Sequence, residues 1–346
     1  MLENEITILE DNLIYNYQYY KNLSNKNIIA VLKSNAYGHG LIQIARILDS
    51  LNIYMIAISN IKEGIYLRQN GIKAQILILE PIEVKDMLNC YYYHLTPVIS
   101  SLHQFNKLHK AKFFASIPIH LKIDTGMHRL GITIDEAKII KEKLNTNSNL
   151  HLAGLFTHLI GNEIEEGYIK KQKDLFIEVI KLFDYENLCI HIASSSFVKD
   201  DINETNAIRI GLGLYGLKDE EFTKQVLNLS SPIINVNEIN KGEYAAYDNS
   251  FKANNNGYIY TIPLGYSSGI LLKYKVKPTI DNKTLKVAGR KCMNQTLLFS
   301  TNVYFIGQMV EIINEKNTLL SLAKRSNVSI YELISLLNPS IKRIVI

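Results

Sequence analysis

The chain has few cysteines, no long apolar stretch and no strong excess of charge of either sign. Its three cysteines, Cys90, Cys189 and Cys292, lie far apart, so they suit neither a disulfide framework nor a metal site and fit a reducing compartment. No run approaches the roughly 18 apolar residues of a spanning helix, and the acidic start lacks the basic segment of a signal peptide. We therefore expect a cytoplasmic protein that binds no metal and has no membrane partner.

The charge pattern also argues against a nucleic-acid partner. The 38 basic and 33 acidic residues leave a net charge of +5, and basic residues form only short pairs such as Lys170-Lys171. At 346 residues and 47% hydrophobic composition, the chain has room for a barrel of about 250 residues and a smaller domain.

Up to about residue 217, short apolar runs alternate with helical patterns such as 168–183. The strand candidates are 28–33, 53–58, 74–79, 95–99, 117–123, 151–156, 188–192 and 207–210. Eight strands with intervening helices favour a parallel (β/α)8 barrel, although a doubly wound open sheet would show the same alternation.

The pattern changes after about residue 225. From Pro232 to about Glu311 the runs are short, β-branched and separated by turns, which predicts a mostly β domain. We expect one late helix near 329–337 and a closing strand at 341–346. The predicted domains are therefore 1–225 and 226–346, with residues 1–10 as a candidate addition to the β domain.

Candidate site residues follow several of the predicted strands. Lys33 ends the first strand and precedes SNAYGHG (34–40); an amine there can form a Schiff base with an aldehyde cofactor, and Tyr37 can reach a phosphate. When a strand ends in a lysine and no further motif follows, the lysine more commonly has no role beyond contact with solvent. In IHLKIDTGMHRLG (119–131), Arg129 suits a carboxylate or phenolate. The glycine-rich segment 209–216 follows the eighth strand, where barrels bind phosphates.

These segments resemble the motifs of alanine racemases, pyridoxal phosphate enzymes of fold type III, in family order over nearly the whole chain. The matching stretches are SNAYGHG (34–40), KIDTGMHRLG (122–131), ASS (193–195), RIGLGLYG (209–216), PLGYSSG (263–269) and RKCMNQ (290–295). The resemblance implies pyridoxal 5′-phosphate on Lys33, with other cofactor-binding residues at Tyr37, His158, Ser195, Arg209, Gly211 and Leu212. It implies substrate contacts from Arg129, Tyr266 and Met293, and possible carbamylation of Lys122 beside Arg129.

The implied reaction is interconversion of L- and D-alanine on a pyridoxal phosphate aldimine, which would supply D-alanine for peptidoglycan. Lys33 would serve the D-face and Tyr247 the L-face. Tyr244, three residues away, is the alternative tyrosine in that alignment. In the family this tyrosine reaches across from the partner subunit, so the resemblance implies a homodimer. A Tyr247–His158–Arg209 chain would lower the tyrosine pKa from its usual value near 10. Arg209 would leave the ring nitrogen unprotonated and limit side reactions.

The chain departs from the family pattern at Ser194, Ser268 and Asn294, and lacks the C-terminal tyrosine expected near 338–339. These departures leave a broad-specificity or serine racemase open. A non-catalytic pyridoxal phosphate-binding homeostasis protein shares the barrel but lacks the β domain. Decarboxylases of similar architecture use a carboxylate where Arg209 lies.

Overall fold

The computed structural model describes residues 2–144, 146, 149–160, 166–184, 186–218 and 221–346. The chain divides into two compact units. The barrel unit comprises Asn16–Lys33 and Ile44–Leu214, and the β unit comprises Met1–Tyr15, Ser34–Gln43 and Tyr215–Ile346. The proposed boundary at residue 225 stays a prediction. Helices in the described part of the chain lack the length and apolar character needed to cross a bilayer.

The barrel unit confirms the parallel α/β barrel and excludes the open sheet. After β1 (Glu5–Ile8), the barrel strands are β2 (Asn27–Val31), β3 (Met55–Ile58), β4 (Gln75–Ile78), β5 (Leu95–Ile99), β6 (Ile117–Lys122), β7 (Leu150–Phe156), β8 (Cys189–Ser194) and β9 (Ala207–Ile210). Each pairs with its neighbour in parallel, and β9 pairs with β2 to close the ring. The strands are almost wholly buried because helices cover the outer face and side chains fill the inner one.

Helices connect the strands. They are α1 (Glu10–Ser24), α2 (Lys33–Tyr37), α3 (Leu41–Ser50), α4 (Ile61–Gln69), α5 (Met87–Tyr92), α6 (Leu102–Lys110), α7 (Ile134–Leu144) and α8 (Glu166–Ile180). Side-chain caps define two helix starts: the Asn60 side chain accepts from the first turn of α4, and Ser101 accepts from Gln104 N–H of α6. On α8, Phe176 and Val179 are fully buried, as the helical spacing predicts.

The β unit carries three sheets. Its further strands are β10 (Leu227–Pro232), β11 (Asn235–Ile239), β12 (Tyr244–Ala245), β13 (Phe251–Lys252), β14 (Gly257–Ile262), β15 (Thr279–Ile280), β16 (Lys283–Thr284), β17 (Lys286–Val287), β18 (Thr296–Ser300), β19 (Met309–Ile313) and β20 (Lys342–Val345). The sheet orders are β16-β15-β19-β10-β1-β20, β11-β14-β18-β17 and β12-β13. Strand β1 therefore lies in a β-unit sheet, antiparallel to β10 and parallel to β20.

A helix lies in the range 329–337 where one is predicted, and a second helix, which is not predicted, precedes it. Helix α9 (Leu319–Ser326) begins after Thr318, whose side chain accepts from Ser321 N–H, and α10 (Ile330–Ser335) begins after Ser329, which accepts from Tyr331 N–H. The apolar pattern of α9, Leu-Leu-x-Leu-Ala, is short and lies among β-rich segments, so it does not by itself predict a helix.

Candidate active site

The segment after Lys33 is a left-handed turn. Residues 34–37 have φ between 52° and 56°, a region that costs an L-residue roughly 1–2 kcal/mol. The Asn35 side chain accepts from Leu41 N–H, and Arg343 Nη2 donates to Gly38 O at 2.9 Å. A Cβ on Gly38 would lie 2.2 Å from a main-chain oxygen, so only glycine fits there. These contacts hold the strained turn within the β unit.

Positive groups gather at the carboxyl end of the barrel strands. This cation cluster consists of Lys33, Lys122, Arg129 and Arg209. Burial, with the nearby Arg129 charge, lowers the pKa of the solvent-accessible Lys33 amine. Lys122 is 7% exposed; burial and then the cluster's other charges lower its pKa to about 8, against an opposing contribution from Asp124. Both lysines therefore have a larger neutral-amine fraction than a free lysine, and the site favours an anionic ligand.

Arg209 is the most tightly held member of the cluster. Only 5% exposed, it donates Nη1 to His191 Nδ1 at 2.7 Å and Nη2 to Thr157 O at 2.7 Å and Ile192 O at 3.0 Å. The guanidinium also lies 5.2 Å from the Phe156 ring centroid. Burial lowers the pKa of Arg209 to about 10, so it remains a cation at neutral pH.

A chain of histidines extends from Arg209. Because the guanidinium donates to His191 Nδ1, the His191 proton lies on Nε2, from which it can donate to His120 Nδ1 at 3.1 Å. Burial and the Arg209 charge lower the pKa of His120 to about 3 and hold the pKa of His191 well below its usual value. Cys189 completes a potential metal-binding trio with these rings, but the hydrogen bonds already occupy the facing nitrogens. Sequence reasoning did not assign His191; a histidine within the apolar strand Cys-Ile-His-Ile-Ala was the available signal.

His158 lies beside Arg209 at the end of β7. Arg209 Nη2 approaches its Nδ1 at 3.3 Å, so the neutral ring carries its proton on Nε2. Burial, then Arg209 and the other cations of the cluster, lower the pKa of His158 to about 3. The ring is therefore uncharged across the physiological range and can act as a hydrogen-bonding group.

The predicted phosphate loop forms a small array of donors. Ser195 Oγ accepts from Gly211 N–H at 3.0 Å and from Gly213 N–H at 3.3 Å, with Leu212 between them. A Cβ on Gly213 would lie 2.1 Å from the Tyr20 hydroxyl, which explains the second glycine. Gly213 was not assigned from the sequence. A hydroxyl and successive N–H groups are suited to an anion.

Tyr37 packs within the β unit. Its ring centroid lies 5.2 Å from that of Tyr215 and 6.4 Å from that of Tyr331. Burial, with a smaller contribution from Tyr331, raises the Tyr37 pKa well above its ordinary value. The phenol therefore stays protonated and can donate to an anion.

Tyr247 lies in an exposed loop of the β unit. It follows Ala246, whose φ is 65°, and is 66% exposed. The loop rests on residues 289–290: Arg290 N–H donates to Ser250 Oγ at 3.0 Å, and a Cβ on Gly289 would lie 2.5 Å from that oxygen. The phenol is thus presented to solvent on a loop held at its base.

The two segments predicted to contact substrate meet in the β unit. Tyr266 N–H donates to Cys292 O, and Ser267 N–H donates to Met293 O at 2.9 Å. Ser267 Oγ donates to Asn294 Oδ1 at 2.7 Å, a role that an aspartate could also fill. Tyr266 is 36% and Met293 57% exposed, so both side chains remain available to a ligand.

Two family models match the chain in succession: alanine racemase, N-terminal domain, over residues 8–219, and alanine racemase, C-terminal domain, over residues 226–345. A Borreliella burgdorferi (strain ZS7) protein named alanine racemase is 33% identical over 95% of this chain and 93% of the relative. An Oenococcus oeni protein named lysine racemase is 30% identical over 99% and 97%. The structure of alanine racemase from Bacillus anthracis with bound L-Ala-P aligns with a TM-score of 0.90 and 25% identity, covering 100% of this chain and 95% of that one.

Proposed function

Because the chain belongs to the alanine racemase family, we propose that it interconverts L-alanine and D-alanine, with Lys33 and Tyr247 as the two proton-transfer residues. The observation that carries the proposal is the position of the Lys33 amine directly after barrel strand β2, near Arg129, where burial and then the Arg129 charge lower its pKa. We further propose that the D-alanine serves peptidoglycan synthesis in the cytoplasm.

The residues fit pyridoxal 5′-phosphate as the cofactor. Lys33 offers an amine of lowered pKa to an aldehyde, and Ser195 with the Gly211 N–H offers donors to a phosphate. Arg209 is a fixed cationic donor that can face the ring nitrogen, and the protonated Tyr37 phenol can add a phosphate contact. When bound, pyridoxal phosphate withdraws electrons from an attached amino acid and acidifies its α-hydrogen.

The chain's own residues would then move one proton. Inversion at the α-carbon needs a base on each face, since one fixed group cannot readily serve both. Lys33 would take or return the proton on the D-face and Tyr247 on the L-face, while Arg129 and Met293 N–H bind the substrate carboxylate. Neutral His158, oriented by Arg209, would donate a hydrogen bond from Nε2 to the Tyr247 phenol.

A homodimer follows from the same proposal. Tyr247 is two-thirds exposed on a loop with a fixed base, which suits a residue presented to a second subunit. Mixing an inactive Lys33→Ala protein with an inactive Tyr247→Phe protein should restore activity, because one of the two mixed sites keeps both residues. Lack of recovery, with subunit exchange verified by mass spectrometry, would refute sharing across subunits.

Lys122 is proposed as a site of carbamylation. Its pKa of about 8 leaves a substantial neutral amine to react with carbon dioxide, and the product would place a negative charge beside Arg129. Intact mass spectrometry loses such adducts, so ¹³C NMR of protein equilibrated with ¹³C-bicarbonate is the test. A carbamate signal that persists in Lys122→Ala would contradict the assignment.

The decisive experiment for the reaction is a panel of L-amino acids incubated with the holoenzyme, followed by chiral analysis for D-products. Alanine should give the highest kcat/KM. Borohydride reduction and peptide mapping should place the cofactor on Lys33, and a label elsewhere would overturn the site.

A broader specificity is the second candidate, because a relative named lysine racemase is 30% identical over nearly the whole chain. Comparable turnover of lysine, serine or larger amino acids in the same panel would establish it. The match to the C-terminal domain model counts against a homeostasis protein that lacks this domain.

A further inference from the structure

The barrel unit carries an exposed aromatic group at the end opposite Lys33. Helix α5 ends at Tyr92 just before β5, and residues 111–116 lead into β6, so both lie at the amino-terminal end of the strands. Chemistry in such barrels occupies the carboxyl end. We name the group here the floor patch: Tyr91, Tyr92, Phe113 and Phe114, with Lys110 and Lys112.

The rings of the floor patch touch one another and leave large areas in water. The Phe113 and Phe114 centroids lie 4.8 Å apart, and those of Tyr91 and Phe114 5.1 Å apart. Phe114 is 70% and Tyr92 64% exposed. A contiguous exposed apolar surface of this kind usually marks a binding site.

The apolar surface continues along one helical face. Val84, in the 3-10 turn 84–86 that leads into α5, is 44% exposed, and Leu88 is 45% exposed. With Tyr91 they recur at the i, i+4, i+7 spacing of one side of a helical run. That face points to solvent, whereas Met87 and Cys90 of the same helix are buried. Residues 84–92 therefore carry one apolar face that is buried in the barrel unit and another that is exposed to solvent.

The charge around the floor patch is positive. Residues 87–123 contain no aspartate or glutamate, and Lys107, Lys110 and Lys112 are exposed. A cavity of about 810 Å³ beside the rings is lined by both patch lysines, and its described lining residues include no carboxylate. The nearest acidic residues before this stretch, Glu83 and Asp86, flank Val84 at the far end of the apolar face, and Glu83 pairs with Lys85 at 2.8 Å.

We propose that the floor patch docks the protein on an anionic lipid bilayer. Phe114 and Tyr92 would enter the boundary between headgroups and acyl chains, and Lys110 and Lys112 would contact the acidic headgroups. A second copy of this chain is disfavoured as the occupant, because a symmetric contact would bring the same lysines together. Surface docking needs no spanning helix. The proposal differs from the sequence-based expectation of no membrane partner, and it does not depend on the proposed racemisation.

The chain contains no tryptophan, so a single introduced indole reports on its own position. Phe114→Trp is the probe, and Phe305→Trp is the matched control, since Phe305 is 67% exposed in the β unit. With vesicles of phosphatidylcholine and phosphatidylserine, Phe114→Trp fluorescence should shift to the blue and be quenched by brominated lipid. Phosphatidylcholine alone should give little shift, and added salt should reverse the binding.

Two double variants measure the contributions of charge and ring. The binding constant for the acidic vesicles, measured by cosedimentation, should fall roughly thirtyfold in the double variant Lys110→Ser, Lys112→Ser. It should fall roughly a hundredfold in the double variant Phe113→Ser, Phe114→Ser. Racemase activity and thermal melting should be retained in both, which shows that the fold is intact.

Four outcomes would overturn the proposal. They are no fluorescence shift with any vesicle, an equal shift in the Phe305→Trp control, a shift that accompanies self-association without lipid, and a shift with single-stranded poly(dT) but not with vesicles. The last two would assign the floor patch to a second copy or to a nucleic acid.

Discussion

The site residues of the barrel unit and those of the β unit differ in how they are held. Arg209 and Lys122 are 5% and 7% exposed, and Arg209 donates to several fixed acceptors. Tyr247 and Met293 are 66% and 57% exposed and are held mainly through the backbone of their loops.

This difference separates two ways of building a site. In the barrel unit, folding itself orders the polar groups, so their geometry exists before any ligand arrives. In the β unit, the loops are positioned but the side chains retain rotamer freedom until another surface covers them. Substitutions should therefore alter stability at the buried site residues of the barrel unit, and activity alone at the exposed site residues of either unit.

The largest effect is expected at Lys33. Lys33→Ala removes both the proposed cofactor anchor and one base, and activity should fall by at least about 10³-fold. Racemisation followed by chiral chromatography measures the loss, and exposed Lys141→Ala is the control. Retention of a tenth of the activity would be incompatible with the proposed role.

Replacing Arg209, which is buried, and Arg129, which is exposed, tests directly how burial relates to stability. Arg209→Met leaves buried carbonyls and His191 without their donor, so the free energy of unfolding should fall by roughly 3 kcal/mol. Exposed Arg129→Met should change it by less than about 0.5 kcal/mol while raising KM. Urea unfolding followed by circular dichroism compares them; equal losses would remove the distinction between the two kinds of side chain.

Tyr247→Phe tests the exposed region. Removing the hydroxyl should lower α-deuterium exchange from L-alanine by roughly 10²-fold, while exchange from D-alanine survives better because Lys33 serves that face. Unfolding should stay unchanged. Tyr244→Phe is the matched control, because Tyr244 is 55% exposed and only three residues away. If Tyr244→Phe, and not Tyr247→Phe, slows exchange from L-alanine selectively, then Tyr244 is the L-face residue.

Acid should destabilise the barrel unit through its buried histidines. The pKa of His120 and of His158 falls from 6.5 to about 3 on folding, so below pH 6.5 the unfolded chain binds protons that the folded chain does not. Stability is therefore lost as pH falls from about 6.5 towards 3, by about 1.4 kcal/mol per histidine per pH unit. His120→Asn should reduce this slope by one histidine's share in urea unfolding at pH 7 and 5, and exposed His103→Asn should not.

Much of the barrel could be predicted because each strand is a short apolar run ending in a chemically distinctive residue. The eight predicted strands overlap β2 to β9, and Lys33, Lys122, His158, Ser195 and Gly211 lie at or just beyond strand ends. Closure could not be predicted, since it depends on the pairing of β2 with β9, which no local pattern encodes.

The contacts between distant side chains were also beyond sequence reasoning. The Arg209–His191–His120 chain joins three strands through hydrogen bonds that depend on tertiary packing. The left-handed conformation of residues 34–37 ran against local preference, because three of them, Ser34, Ala36 and Tyr37, belong to types that rarely adopt it. Tertiary packing sets the side-chain geometry in the first case and overrides the local backbone preference in the second.

The hold of Arg343 on the Gly38 carbonyl has a consequence for biosynthesis. The two residues are 305 positions apart, so this restraint is missing throughout most of translation. When the ribosome has already synthesised the barrel strands, the left-handed turn still lacks the hydrogen bond from Arg343. We therefore expect the segment after the amine to gain this restraint only after the barrel strands have been synthesised.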